Sequence, residues 1–319
     1  MTATRPTRTV APAPEPAPRP ASGPVDGPVV VTGATGNQGG ATARRLLAGG
    51  RAVRVLVRDK ASPRAAALAD IGAELAVADF DEPSTLAPAL EGAAGLFAVP
   101  PATWGPGGSD QALEVARGRA LADAAVAAGV RHVVFTGVAS TSGAAFAAPG
   151  KRDIEDYLRE RVPQVTVLRP VRFMSNYLGS PGLGIDGFSG GVHRHLFPPD
   201  EPVQIIALED IAEFAALAFD QPERFAGRTL ELAGDAPTPA EAVATIGAAT
   251  GTRLRYEQLT HEEGAALSPS IAEVRRRWSS GERWHADIEA LRVIHPGLRT
   301  LSDWLAQGGA AALRALLIP

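Results

Sequence analysis

Val29-Val30-Val31-Thr32-Gly33-Ala34-Thr35-Gly36-Asn37-Gln38-Gly39-Gly40 is the stretch from which the fold can be read. Three β-branched residues, which favour a strand, run into a glycine. Two further glycines follow at three-residue spacing, and an alanine- and leucine-rich helical pattern runs from Asn37 to Ala48. This is a strand, a tight turn and a helix start. Gly33 permits the turn because no Cβ restricts its backbone. Gly36 lets the backbone approach a phosphate, and Gly39 lets the helix settle on the sheet. The free N–H groups and the positive end of the new helix then face an anion. The pattern predicts a dinucleotide site with Gly33, Thr35, Gly36, Asn37, Gln38 and Gly39 around the pyrophosphate. A glycine-rich turn in an α/β protein without cofactor is the plainer alternative.

The chain has 319 residues, 45% of them hydrophobic and 21% charged, enough for a substantial core. Its net charge of −4 argues against a general nucleic-acid binder. It contains no cysteine, which excludes disulfides, cysteine nucleophiles and cysteine-held metals. No apolar run reaches the roughly 20 residues that span a bilayer. These features predict a cytoplasmic protein, monomeric or homodimeric, that acts on a small molecule without membrane or nucleic-acid partners. Of 31 basic residues only Lys60 and Lys151 are lysine. Lysine is a compact point charge that can give up its proton, which arginine does not do. Lys151 therefore draws attention.

Residues 1–27 are rich in Pro, Ala, Thr and Arg without apolar periodicity and read as a disordered leader. Strands and helices then alternate. Strands are expected at about 28–32, 53–57, 73–77, 95–99, 130–136 and 165–168, with helices at 37–48, 83–90, 110–128 and 151–161. Six such repeats give a doubly wound parallel sheet, Rossmann-type in its first half. Ligands bind such sheets outside the carboxyl ends of the strands. Arg58, at the end of the second strand, suits a 2′-phosphate and hence NADP, with Lys60 as a helper. The rival is Asp59 on the ribose of NAD, and the plain alternative a solvated turn. Asp79 and Phe80 could border the adenine. Val99, Pro100, Thr136, Gly137 and Pro170 stand at other strand ends beside the cofactor. Phe97 and Val138 are candidate substrate neighbours, and Trp104 either walls the pocket or caps the core.

After Pro170 the texture changes. Residues 171–202 read as a long loop over the carboxyl edge, with Phe173, Asn176, Tyr177 and His195 as substrate candidates. His193 and His195 alternate like strand ligands, but the further ligands a metal needs are not evident, so no metal is expected. Thr238-Pro239 opens a helix, and 284–318 is helical with Trp284, Leu291, Leu298, Leu301, Trp304 and Leu305 in its core. The expected division is a dinucleotide domain over 28–170 plus about 203–228. A smaller C-terminal α/β substrate domain takes 171–202 and 229–319.

Several pieces together resemble the NmrA-like branch of the atypical short-chain dehydrogenases/reductases. They are the glycine-rich turn, Val57-Arg58-Asp59, Lys151 before Ile154-Glu155-Asp156-Tyr157-Leu158, and Leu168-Arg169-Pro170 with Phe173-Met174-Ser175-Asn176. Asp210-Ile211-Ala212 and Leu232-Ala233-Gly234-Asp235 complete the match over roughly residues 28–305. The resemblance implies a Rossmann domain preferring NADP, with Arg58 on the 2′-phosphate, Lys151 on the nicotinamide ribose and Asn176 on the substrate side. The wider family takes its proton from a tyrosine four positions before the lysine, and here Ala147 stands there. General acid help is typically worth 10²–10⁴-fold in rate, so ordinary ketone reduction loses its usual support.

Three functions remain open at this stage. One is an NADPH-dependent oxidoreductase of secondary metabolism whose acceptor is an aromatic or quinone-like carbonyl or an activated double bond. Lys151 would be its catalytic cation, and Ser140, Thr141, Tyr177, His195 or water its proton source. Phe97, Trp104, Phe146, Phe173 and Tyr177 would make the pocket apolar. The second is a non-catalytic NADP sensor of the NmrA type. The third is a redox-neutral isomerase or dehydratase.

Overall fold

Val29–Val31, now β1, is buried on both faces, which fits the middle of a parallel sheet. The computed structural model describes residues 27–101, 104–105, 108–142, 148–179 and 185–318. After β1 come α1 (Asn37–Ala48), β2 (Val53–Val57), α2 (Pro63–Asp70) and β3 (Glu74–Val77). The chain then crosses back through α3 (Leu86–Leu90) to β4 (Gly95–Ala98), α4 (Gln111–Ala127), β5 (His132–Thr136), α5 (Pro149–Arg161) and β6 (Gln164–Pro170). Next are α6 (Leu208–Asp220) and β7 (Thr229–Leu232). The seven strands lie in the order β7-β6-β5-β4-β1-β2-β3, all parallel. The direction of winding reverses between β1 and β4, so a crevice opens there at the carboxyl edge.

Alternation along β1 sorts the core into two layers. Val29 and Val31 pack with Ala43 and Leu46 of α1 and Phe214 of α6. Val30 joins Leu86 and Leu90 of α3, Leu121 of α4 and Ile154 and Leu158 of α5 on the other face. Thr32 closes the top of β1. Its Oγ1 accepts from Val99 N at 2.7 Å, and its backbone N donates to Phe97 O at 3.1 Å. The turn that follows needs its glycines. Gly33 has φ +61°, in the left-handed region. A Cβ on Gly39 would stand 2.5 Å from the carbonyl oxygens of Thr32 and Gly33, so only glycine lets α1 begin this close to the sheet.

Three features differ from the sequence reading. α2 was not foreseen, because Pro63-Arg64-Ala65-Ala66-Ala67-Leu68 shows no apolar stripe and buries only Ala65 and Leu68. β7 pairs with β6 in the main sheet, in the register Leu230↔Leu168, so residues 229–232 belong to the dinucleotide domain and not to the substrate region. Residues 171–202 carry short regular pieces. Arg172–Phe173 pairs with Ile205–Ile206, and Val192–His195 pairs with Arg255–Gln258.

The smaller C-terminal unit gathers Met174, Tyr177, Ile246, Leu301, Trp304 and Leu313 into its own core. It is fastened to the sheet domain through Asp210, fully buried at the start of α6. Its Oδ2 accepts the Arg299 backbone N at 3.0 Å, and Oδ1 faces the Arg299 guanidinium and His295 Nε2.

Gly39→Ala tests the close helix. The added methyl meets backbone on three sides, so unfolding in urea should show a loss of about 1–3 kcal/mol, the ordinary cost of overpacking. An unchanged midpoint would mean that α1 can lift away without penalty.

Candidate cofactor and active site

α1 starts without a side-chain cap on Gly36 and without an acidic residue in its first turn, which leaves its N-terminus suited to an anion. A cleft of about 440 Å³ lies beside it, lined by Gly33, Thr35, Val57, Arg58, Asp79, Phe80 and Pro101 among others. These residues follow the carboxyl ends of β1, β2, β3 and β4. A second groove of about 570 Å³ runs outside α1 between α2 and α6 and meets the first at Thr35.

The charges in the first cleft are sorted. Arg58 is exposed and has no ion-pair partner among the described residues. Asp59 Oδ1 accepts from Ala61 N at 2.8 Å in the turn before α2. Asp79 Oδ1 likewise accepts from Asp81 N, and Asp81 pairs with Arg117 at 2.7 Å. Arg64, from the unforeseen α2, donates to Thr35 O at 3.0 Å and so stands at the border of both grooves. Sequence reading missed it with the helix that carries it.

On the other half of the crevice, Thr136 Oγ1 donates to Gln38 Oε1 at 2.6 Å, locking the end of β5 to the start of α1. Val99 packs against Gly33, while Pro100 and Pro170 are buried in the strand ends. Gly137 lies against the fully buried Glu155, whose Oε1 would be 2.6 Å from an added Cβ. Arg169 grips Glu155 through Nε at 3.1 Å and Nη2 at 2.5 Å, and reaches Glu231 of β7 with Nη1 at 3.1 Å. Glu231 in turn accepts from Ser140 Oγ at 2.6 Å and Ser140 N at 3.0 Å. The Ser140 proton is therefore held by a carboxylate, a correction to its candidacy as proton donor. Thr141 donates to Glu282 at 2.6 Å and is committed in the same way.

Lys151 lies in the first turn of α5, with its Nζ 2.6 Å from Glu114 Oε1 of α4. Both helices leave the carboxyl edge, after β5 and β4 respectively. The pair thus sits at the half of the crevice opposite the Arg58 cleft. Glu114 was not singled out from the sequence, where it reads only as a favourable charge in the first turn of a helix.

Several substrate candidates prove to be core. Phe97 is wholly buried in the sheet layer under α1 and α6. Strand β4 is covered on both faces, so none of its side chains is free to line a pocket. Tyr177 and His195 are 5% exposed and lie in a closed aromatic stack with Phe188, His193 and Phe197. Burial pushes the Tyr177 phenol above its ordinary range and holds His195 neutral, so neither is a ready acid. Asn176 bonds to Asp186, which pairs with Arg172 at 2.8 Å. Val138, Phe173 and Asn176 remain half-buried. Phe146 and the side chain of Trp104 lie outside the described residues. The described residues contain no group of three or more metal-ligating side chains and no helix long and apolar enough to cross a membrane.

Comparison with known proteins agrees with this architecture. The pattern of the NmrA-like family matches residues 26–275. The NmrA-like family domain-containing oxidoreductase FrzB of Cladobotryum sp is 30% identical over 255 residues, 72% of this chain and 75% of that protein. The NAD(P)H azoreductase of Xenophilus azovorans is 31% identical over 259 residues, 77% of this chain and 84% of that one. Among solved structures, the Citrobacter sp. triphenylmethane reductase in complex with NADP(H) superposes with a TM-score of 0.70. It covers 88% of this chain and 99% of its own, at 22% identity.

The buried histidines make acid a specific threat. His132, against Thr166 and Phe219, and His193, bonded to Gly187 O, are both held by burial at about 4 rather than 6.5. The unfolded chain takes up these protons first, so stability is full above pH 6.5 and falls as pH drops toward 4. At pH 5 each costs about 2 kcal/mol. Urea titrations at pH 7 and pH 5 should show that loss. His193→Gln should remove its share of the pH dependence, and a slope identical to wild type would contradict the assignment.

Proposed function

Because the chain belongs to the NmrA-like family, we propose that it is an NADPH-dependent reductase of conjugated acceptors, such as azo, triarylmethane or quinone compounds. The observation that carries the cofactor choice is the Arg58 guanidinium in the first cleft, which has no ion-pair partner among the described residues, beside an Asp59 that binds the backbone of its own turn. A guanidinium matches a phosphate monoester in charge and in paired-donor geometry. Arg64 stands close enough to add a second positive charge.

When bound, NADPH would supply the hydride. The residues present fit that group, since the uncapped start of α1 would take the pyrophosphate and Arg58 the 2′-phosphate. The Thr136–Gln38 bond fixes the turn between the adenosine and nicotinamide halves. Lys151 places a positive charge at the nicotinamide half and steadies negative charge as it develops on the acceptor.

The absent tyrosine sets the acceptor class. Ser140 and Thr141 hold their protons on carboxylates, and Tyr177 and His195 are sealed in the core. A simple ketone would become an alkoxide with no hydroxyl or imidazole acid free to serve it among the described candidates. A conjugated acceptor spreads the arriving charge over its π system and can take its proton later from water. The azoreductase and triphenylmethane reductase among the relatives are named for acceptors of this conjugated kind. The same scarcity of acids also suits an NADP sensor without turnover, so measured turnover separates the two readings.

NADPH oxidation should therefore exceed the protein-free rate with azo dyes, triphenylmethane dyes or quinones and stay at background with aliphatic ketones. Tight NADPH binding with no oxidation by any of them would favour the sensor. Arg58→Ala should weaken NADPH binding by about 10–100-fold, the worth of a charge-assisted contact, and change NADH binding less than twofold. Equal weakening of both would remove the phosphate role. Lys151→Met should lower kcat on the order of 10²-fold, with native secondary structure by circular dichroism and a lowered melting temperature, because Glu114 loses its partner.

A further inference from the structure

The Lys151–Glu114 pair is the one salt bridge among the described residues that uses a lysine. Both side chains are largely shielded from solvent, at 17% and 6% exposure. Close approach of α4 and α5 brings them together. Gly118 of α4 has room for no Cβ, which would lie 2.5 Å from Ile154, and Gly150 fits against Val115 and Gln111. The neighbouring charges have other commitments. On α4, Asp110 caps its own helix and Arg117 pairs with Asp81. On α5, Arg152 pairs with Asp156, Asp153 is exposed, and Glu155 is gripped by Arg169. Glu114 is thus the carboxylate that answers Lys151.

We infer that Glu114 is the positioning residue of Lys151. It fixes the ammonium at the nicotinamide half of the crevice. The inference rests on the reading of Lys151 given above. Lysine has a flexible four-carbon stem and would otherwise sample many positions. An arginine at 151 would not serve, since its planar head is larger than the compact ammonium.

The chain offers a direct readout, because its only lysines are Lys151 and the exposed Lys60. The full-length protein, without cofactor, is treated with acetic anhydride at a fixed pH, and acetylation of each lysine is followed by peptide mass spectrometry. In Glu114→Gln the Lys151 amine, no longer held against a carboxylate, should be acetylated roughly tenfold faster. Lys60 should not change. With NADPH and an acceptor from the panel, kcat should fall with KM little changed, and Lys151→Met with Glu114→Gln should be no slower than Lys151→Met alone.

An unaltered Lys151 labelling curve in Glu114→Gln would overturn the inference while leaving the reductase reading intact. Full turnover by Lys151→Met would overturn the inference together with the role of Lys151 on which it rests. If Glu114→Gln does not fold, Glu114→Asp carries the test. Its shorter arm keeps the charge but withdraws it, so Lys151 labelling should rise by a smaller factor, and wild-type labelling with wild-type kcat would refute the role.

Discussion

Everything at the carboxyl edge depends on how closely α1 can sit against the end of β1. Where Gly39 faces the carbonyl groups of Thr32 and Gly33 there is no space for a methyl group. That absence lets the helix start within the crevice instead of above it. With α1 so placed, Gln38 can reach Thr136, and the adenosine cleft opens against Arg58. Thr32 completes the arrangement by binding the end of β4. The site is therefore a product of backbone approach first and of side-chain chemistry second.

Around that nucleus, buried carboxylates organise the elements that come later in the chain. Glu155 and Glu231 hold Arg169 between α5 and β7, and Glu231 also holds the loop after β5 through Ser140. Asp210 does the same for the C-terminal segment through Arg299. Such groups are costly to bury alone and tolerable when every oxygen has a partner. Their contribution is to fix the relative placement of α5, β7 and the C-terminal unit, on which the position of Lys151 depends.

How much of this was legible in the sequence follows from the range of the interactions. The strand starts, α1 and the long α4 were readable because periodicity and caps are local. Arg58 was readable because strand ends are. α2 escaped because alanine shows no amphipathic stripe. β7 was assigned to the wrong unit because four residues do not announce which sheet they join. Phe97 was mistaken for a pocket residue because a strand end in the sequence does not show that both faces of β4 are covered. Ser140 and Tyr177 looked available as acids until Glu231, 91 residues away, and the aromatic stack enclosed them. Pairings across such distances leave no mark on local sequence.

The near-exclusion of lysine reaches beyond catalysis. With 29 arginines among 31 basic residues, nearly every ion pair that ties one element to another uses a guanidinium, which stays charged far into alkali. The carboxylates opposite them are already ionised there. The framework is therefore indifferent to base across several pH units. Guanidinium groups hold the frame together, and a single paired ammonium stands apart from them in chemical kind at the start of α5.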